Sequence, residues 1–261
     1  MNDFSEIEHG ISCLTNTYNG DIGQKLKNLL NDLYPEITKK IENLFNGWIP
    51  YFKSHTFIAC VSEHPQEENN YGRLSMWRAY GGNNSVALVV NKEPLTVETE
   101  AFNAYTNPVA YLEPEQIGKE LEYLLERMQN NIEFIKELGQ QQVINCIFNV
   151  FKGVALCTKH PGFREEREWR VVYNPKLSES KLVKSEIEVI NDVPQEIHKI
   201  PLQNIPEKNF IGATIPEIID QIIIGPNDQQ EILGHAFETV LREAGVNEPA
   251  QKIYYSGIPL R

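Results

Sequence analysis

The chain has 261 residues, 41% of them hydrophobic, enough to bury a sizeable core in a single domain. No run approaches the roughly 18 to 20 apolar residues of a membrane-spanning helix, and the N-terminus lacks the basic and apolar regions of a secretory signal. The net charge of −12, from 24 basic against 36 acidic residues, repels phosphate backbones and argues against non-specific nucleic-acid binding.

Four cysteines, Cys13, Cys60, Cys146 and Cys157, stand singly. Cys60 and Cys146 lie in apolar runs, where a thiol is expected to behave as a small buried hydrophobe. Such cysteine usage fits a reducing cytoplasm.

From Ile22 to Trp48 apolar residues recur every three or four positions (Leu26, Leu29, Leu33, Ile37, Ile41, Leu44), which predicts a helical segment over 21–48 with Asp21 as N-cap. Pro35 divides it into two helices or kinks it. His55 to Val61 and Ser85 to Val90 are short runs of β-formers and predict strands on either side of a turn-rich segment, 62–84.

A second helical block spans 113–158. Ile117, Leu121, Leu124, Met128, Ile132 and Ile135 form one stripe, and Val143, Ile147, Val150, Phe151 and Val154 another after Gly139. Strands are predicted over 166–173, near 186–190 and 196–201, over 219–224 and near 252–255, with a helix over 228–244. The irregular alternation predicts one α+β domain, 1–261, with a mixed, largely antiparallel sheet and an inserted helical hairpin.

Two polar constellations stand out. The first is Ser62-Glu63 at a strand end, followed by Ser75-Met76-Trp77-Arg78-Ala79-Tyr80. Aromatic faces stack on rings and a guanidinium forks onto phosphate, so Trp77, Tyr80, Arg78, Ser62 and Ser75 are candidates for holding a nucleotide. The same pattern also suits core aromatics with an arginine paired to an internal acid.

The second is Phe163 to Arg170, entering a strand. Period-two geometry over 166–173 puts Glu166, Glu168 and Arg170 on one face and Trp169, Val171 and Tyr173 on the other, which is expected to face the core. Two carboxylates sharing a face suit the orientation of a ribose hydroxyl, or equally a solvated charged surface. The six histidines are scattered without metal-ligand spacing, and no metal is expected.

With these motifs the chain resembles an uncharacterised bacterial family marked by an early Asn-Asp-x-x-Glu, a Ser-x-Trp-Arg-x-Tyr turn, Phe-x-x-Glu-x-Glu-Trp-Arg, Ile-Gly-Pro and a Ser-x-Ile-Pro-x-Arg tail. The matching residues are Asn2 to Glu6, Ser62-Glu63 for a Ser-Phe-Ser-Glu or Cys-x-Ser-Glu strand end of that family, Ser75 to Tyr80, Phe163 to Arg170, Ile224 to Pro226 and Ser256 to Arg261. That family opens with an additional strand bearing a Leu-Tyr-His-Tyr-Thr-like motif, so this sequence is expected to lack that strand or to begin after it.

The order of motifs is similar to that of ADP-ribosyltransferases. The resemblance implies an ADP-ribosyltransferase-like fold, NAD as substrate, and ADP-ribosyl transfer or NAD cleavage in a bacterial toxin or anti-phage setting. Glu168 is then the catalytic carboxylate with Glu166 assisting, Arg78 or Arg170 holds the pyrophosphate, Trp77 or Tyr80 packs on a ring, and Ser62 or Ser75 braces the glutamate. Two other readings stay open: a non-catalytic subunit that senses a nucleotide or binds a protein partner, and a magnesium-dependent nuclease using Glu166 and Glu168.

Overall fold

The computed structural model describes residues 4–259 apart from 83, 98 and 191. In chain order the helices and strands are α1 (Phe4–Asn19), α2 (Asp21–Leu33), α3 (Ile37–Ser54), β1 (Phe57–Ser62), α4 (Leu74–Tyr80), β2 (Val86–Val90), α5 (Glu93–Thr96), β3 (Ala104–Pro108), β4 (Ala110–Tyr111), α6 (Pro114–Asn130), α7 (Ile132–Leu138), α8 (Gln140–Cys157), β5 (Thr158–Lys159), β6 (Glu168–Tyr173), β7 (Lys184–Ile190), β8 (Val193–Lys199), α9 (Ile215–Ile218), β9 (Ile219–Ile224), α10 (Gln230–Glu243) and β10 (Ile253–Tyr255). The fold is α+β with small sheets, as the irregular alternation predicts. The chain divides into two compact units. No helix among the described residues is long and apolar enough to cross a membrane.

The first unit consists of the residues up to Cys60 together with Asn107–Leu177. The predicted 21–48 segment breaks where Pro35 stops the hydrogen-bond ladder: α2 ends at Leu33, Glu36 turns to a φ of 61°, and α3 starts at Ile37. Gly20 is the N-cap of α2, correcting the expectation for Asp21, which sits in the first turn, where a carboxylate still complements the helix dipole. Leu26, Leu30, Ile37, Ile41 and Phe52 are fully buried in one apolar core with Val143, Ile147 and Phe151 of α8.

Helix α1 has no counterpart among the predicted elements, although Ile7, Ile11, Leu14 and Tyr18 recur at helical spacing and join this core. Gly10 sets its approach to α8. A Cβ there would lie 2.6 Å from the Ala155 carbonyl oxygen and 2.7 Å from that of Val154.

The predicted helix pair is three segments, α6, α7 and α8, inserted between β4 and β5, which pair in parallel with Ala110 opposite Thr158. Along α8 the buried stripe runs through Val143, Ile144, Ile147, Phe148, Phe151 and Ala155, and Cys146 falls off it. Cys146 and Cys60 are exposed, whereas Cys13 and Cys157 are buried, which reverses the expectation for the thiols in apolar runs. Strand β6 is the middle strand of a three-stranded sheet, between β1 and β3, the strands along which the chain leaves and re-enters this unit.

The second unit consists of Val61–Thr106 and the residues from Ser178 onward. Its central strand β9 pairs antiparallel with β2 and parallel with β10. The apolar run Ile222, Ile223 and Ile224 is buried, and Ile222 and Ile224 share a core with Ile218, Leu241 and Val246. A smaller cluster forms around Phe102 and Phe210, whose rings meet edge to face at 4.8 Å. The two weak strand signals form one antiparallel hairpin, β7 and β8, running from Lys184 opposite Lys199 to Ile190 opposite Val193.

Candidate functional site

Strand β6 begins at Glu168, two residues later than predicted. Glu166 ends a 3₁₀ turn, Pro161–Glu166, and Arg167 takes a left-handed φ of 44°, so the period-two alternation stops before it reaches Glu166. Within the strand, Glu168 and Arg170 are 5% and 1% exposed while Trp169 and Val171 are half-buried. The polar face is therefore the more buried one, while on the face expected to meet the core Tyr173 is buried and Trp169 and Val171 only half so.

Charges are buried here because they are matched. Lys159, 1% exposed on β5, points its ammonium at three carboxylates: Glu6 Oε1 at 2.6 Å, Glu166 Oε2 at 2.6 Å and Glu168 Oε2 at 3.1 Å. Its three N–H donors thus have three acceptors. Arg170 donates from Nε to Glu168 Oε1 at 2.8 Å, from one terminal nitrogen to the Leu156 carbonyl at 2.6 Å, and from the other to Glu6. Lys159 also lies over the Phe163 ring at 4.8 Å.

Local structure delivers each partner. The Nδ1 of His160 accepts the Gly162 backbone N–H at 3.0 Å and caps the turn that carries Glu166. The backbone N–H of Glu168 donates to the Tyr111 hydroxyl at 2.8 Å. Glu6 comes from the first turn of α1.

Burial by itself pushes the Glu168 carboxyl up, but hydrogen bonds from Arg170, the Cys60 thiol and Lys159 outweigh it and bring the group down to about 2. The same carboxylate acts in reverse on Cys60. Desolvation first, then the Glu168 hydrogen bond and charge, push that thiol up to about 12. For Lys159 desolvation lowers the pKa, but the three glutamates more than reverse it and hold the ammonium well above the usual lysine range.

Both oxygens of Glu168 are thus engaged by cations. An ammonium stands where three carboxylates converge, and among the described residues no group of three or more His, Cys, Asp or Glu side chains is arranged to hold a metal.

The first motif belongs to the second unit and is built differently. Trp77 lies on α4 with its ring against Gly72, whose φ of +66° and missing side chain make room: a Cβ there would sit 2.5 Å from the indole. Its Nε1 donates to the Tyr71 carbonyl at 2.8 Å, and the buried Ser256 donates its hydroxyl to the same carbonyl, also at 2.8 Å. The indole is therefore committed to packing. Ser75 is half-buried and shares a helix face with Arg78, three residues on, which is exposed and makes no hydrogen bond or ion pair among the described residues. Tyr80 is 54% exposed, and Ser62 is exposed at the end of β1.

The Ile224-Gly225-Pro226 motif belongs to the same unit. Gly225 N–H donates to the Ser85 carbonyl at 2.8 Å, and Ser256 N–H to the Ile224 carbonyl at 2.8 Å. Ser75 to Tyr80, Ile224 to Pro226 and the start of the C-terminal motif are thus tied together through Tyr71, Ser85 and Ser256. Leu260 and Arg261 of that motif, like Asn2 and Asp3 of the first, lie outside the described residues.

Sequence reasoning missed Lys159, Cys60 and Tyr111 as members of the ion cluster, and gave Glu6 no role. Lys159 follows the apolar Val154-Ala155-Leu156-Cys157 run after one residue, Thr158, and a lysine entering a strand from a buried helix is a signal for a buried cation in need of acid partners.

Residues 76–171 match the model of a family described as a protein of unknown function (DUF2971), less than half of the chain. The similar region includes Trp77 to Tyr80 and Lys159 to Arg170 but neither Glu6 nor the C-terminal motif. No curated protein and no solved structure matches the chain.

Proposed function

We propose that this chain is a recognition module for a nucleotide-type anion, with Arg78 as its phosphate-binding group. The observation that carries this reading is the state of Arg78. In a chain with 36 acidic residues, this guanidinium is exposed and unpaired among the described residues, on a helix anchored from its other side by Trp77. A planar fork of donors held on a fixed helix suits a phosphate, and Ser75 on the same helix face adds a hydroxyl. Tyr80 supplies an exposed aromatic ring nearby in sequence.

One observation favours a second reading, ADP-ribosyl transfer or NAD cleavage in a bacterial toxin or anti-phage setting. Glu168 is held ionised and rigid, as a carboxylate that stabilises an oxocarbenium-like transition state must be. Recognition ranks first because the charge of Glu168 is already matched by Lys159 and Arg170 at 3.1 and 2.8 Å, which leaves it little field to offer a substrate.

NAD labelled in its nicotinamide separates the two. Saturable binding to the purified chain without release of free nicotinamide supports recognition, and release above the buffer rate supports turnover. Absence of binding by NAD, ADP-ribose and ATP alike ends the nucleotide proposal.

A further inference from the structure

We propose that the outer edge of β7 pairs with the same edge of a second copy of this chain, joining two β7–β8 hairpins into one four-stranded antiparallel sheet. The hairpin forms a sheet of its own, and among the described residues β7 makes ladder hydrogen bonds only to β8. All seven residues of β7 are exposed, with Ile187 and Val189 at 69% and 67%. A lone two-stranded ribbon is marginally stable in water, and an open edge is a template for a further strand. The outer edge of β8 contains Pro194, which has no N–H to donate. The open edge is β7.

Charge selects a second copy as the occupant and fixes the register. Lys184, Glu186 and Glu188 share one face of β7 by the period of two. An antiparallel pairing about a two-fold axis through Glu186 sets Lys184 opposite the second copy's Glu188 and Glu188 opposite the second copy's Lys184, two ion pairs from one self-complementary strand. The two Glu186 side chains meet at the axis, but each brings its own counter-ion: Lys199 Nζ lies 2.5 Å from Glu186 Oε2 and 2.9 Å from Glu188 Oε1. Moving the axis to Ile187 would set Glu186 against Glu188 twice. Moving it to Ser185 would leave only three residues of each β7 paired.

Sedimentation velocity of the full chain over a range of micromolar concentrations tests this. The wild type is expected to sediment as a dimer, and both E188K and K184E as monomers with unchanged far-ultraviolet circular dichroism. K184E leaves both contacts of Lys199 in place, so its effect does not depend on disturbing the hairpin. The double swap K184E/E188K recreates the two ion pairs with reversed polarity and is expected to restore the dimer. A monomeric wild type, a dimer indifferent to both single swaps, or single swaps not rescued by the double swap would each overturn the proposal.

Discussion

Glu6 on α1 and Arg170 on β6, 164 residues apart in the chain, form an ion pair within the first unit, and the second oxygen of Glu6 receives the ammonium of Lys159. One glutamate thereby spans both buried cations of the cluster and ties the first helix to the central strand. Removing either cation leaves the buried carboxylates of Glu6 and Glu168 to share the one that remains, so negative charge outweighs positive in a desolvated site, which is the costly way to break such a network.

The Arg170→Met variant is expected to lose about 3–5 kcal/mol of stability, because Glu6 and Glu168 then share Lys159 alone. Glu6→Gln keeps the shape and some hydrogen bonding, and should cost less, about 1–3 kcal/mol. Urea unfolding followed by circular dichroism measures both. A loss below 1 kcal/mol for Arg170→Met would mean that the cluster is solvated.

Acid should weaken the first unit in a defined window. The Glu168 carboxyl titrates near 4.5 when unfolded and near 2 when folded, so between those values the unfolded chain binds more protons. The contribution is complete above about pH 5 and declines as pH falls through 4.5 toward 2, with a slope of up to about 1.4 kcal/mol per pH unit from this group. Unfolding free energies measured from pH 5 to pH 3 should fall more steeply for the wild type than for Glu168→Gln; parallel curves would dissociate the acid response from this residue.

Cys60 is solvent-accessible, yet desolvation and the Glu168 carboxylate hold its thiol near 12. Alkylation by iodoacetamide at pH 8, read by mass spectrometry, should therefore be slow at Cys60, with the exposed Cys146 of α8 as internal reference. Glu168→Gln removes the nearby negative charge and should accelerate Cys60 several-fold while leaving Cys146 unchanged. Equal rates at Cys60 in both proteins would contradict the thiol–carboxylate hydrogen bond.

The Gly225→Ala substitution should destabilise the second unit by about 1–3 kcal/mol, as overpacking at a tight contact does. The new methyl would lie 2.1 Å from the Ser85 hydroxyl and 3.0 Å from its carbonyl oxygen. Ser85→Ala in the same chain removes the first clash and leaves the second, so thermal unfolding of the double variant should recover only in part. Full recovery would show that the backbone approach is not limiting.

For the proposed recognition site, Arg78→Ala should weaken nucleotide binding by about tenfold or more without changing thermal stability, since an exposed side chain with no partner among the described residues contributes little to folding. Glu168→Gln should leave that binding intact. If it abolishes nicotinamide release in a protein that shows such release, catalysis becomes the first reading. Isothermal titration with NAD and ADP-ribose measures the binding of both variants, and NAD labelled in its nicotinamide measures release.

The sequence by itself determined the local elements. The three-to-four-residue stripes of α2, α3, α6 and α8, the Pro35 break and the Ile219–Ile224 run are each a property of a short window, because helix and strand periodicity are set by backbone geometry within a few residues. It also marked Glu166, Glu168, Arg170 and the Trp77 to Tyr80 turn as unusual. What those residues touch was decided by tertiary structure alone. The left-handed φ of Arg167 took Glu166 out of the strand register, and Lys159 and Glu6 reached the same cluster from β5 and from α1. Which face of β6 is buried could not be read from its alternation either. A charged face goes inward only when counter-charges from distant segments meet it there, and the desolvation of Glu168 and Arg170 is offset by partners that no window around β6 contains.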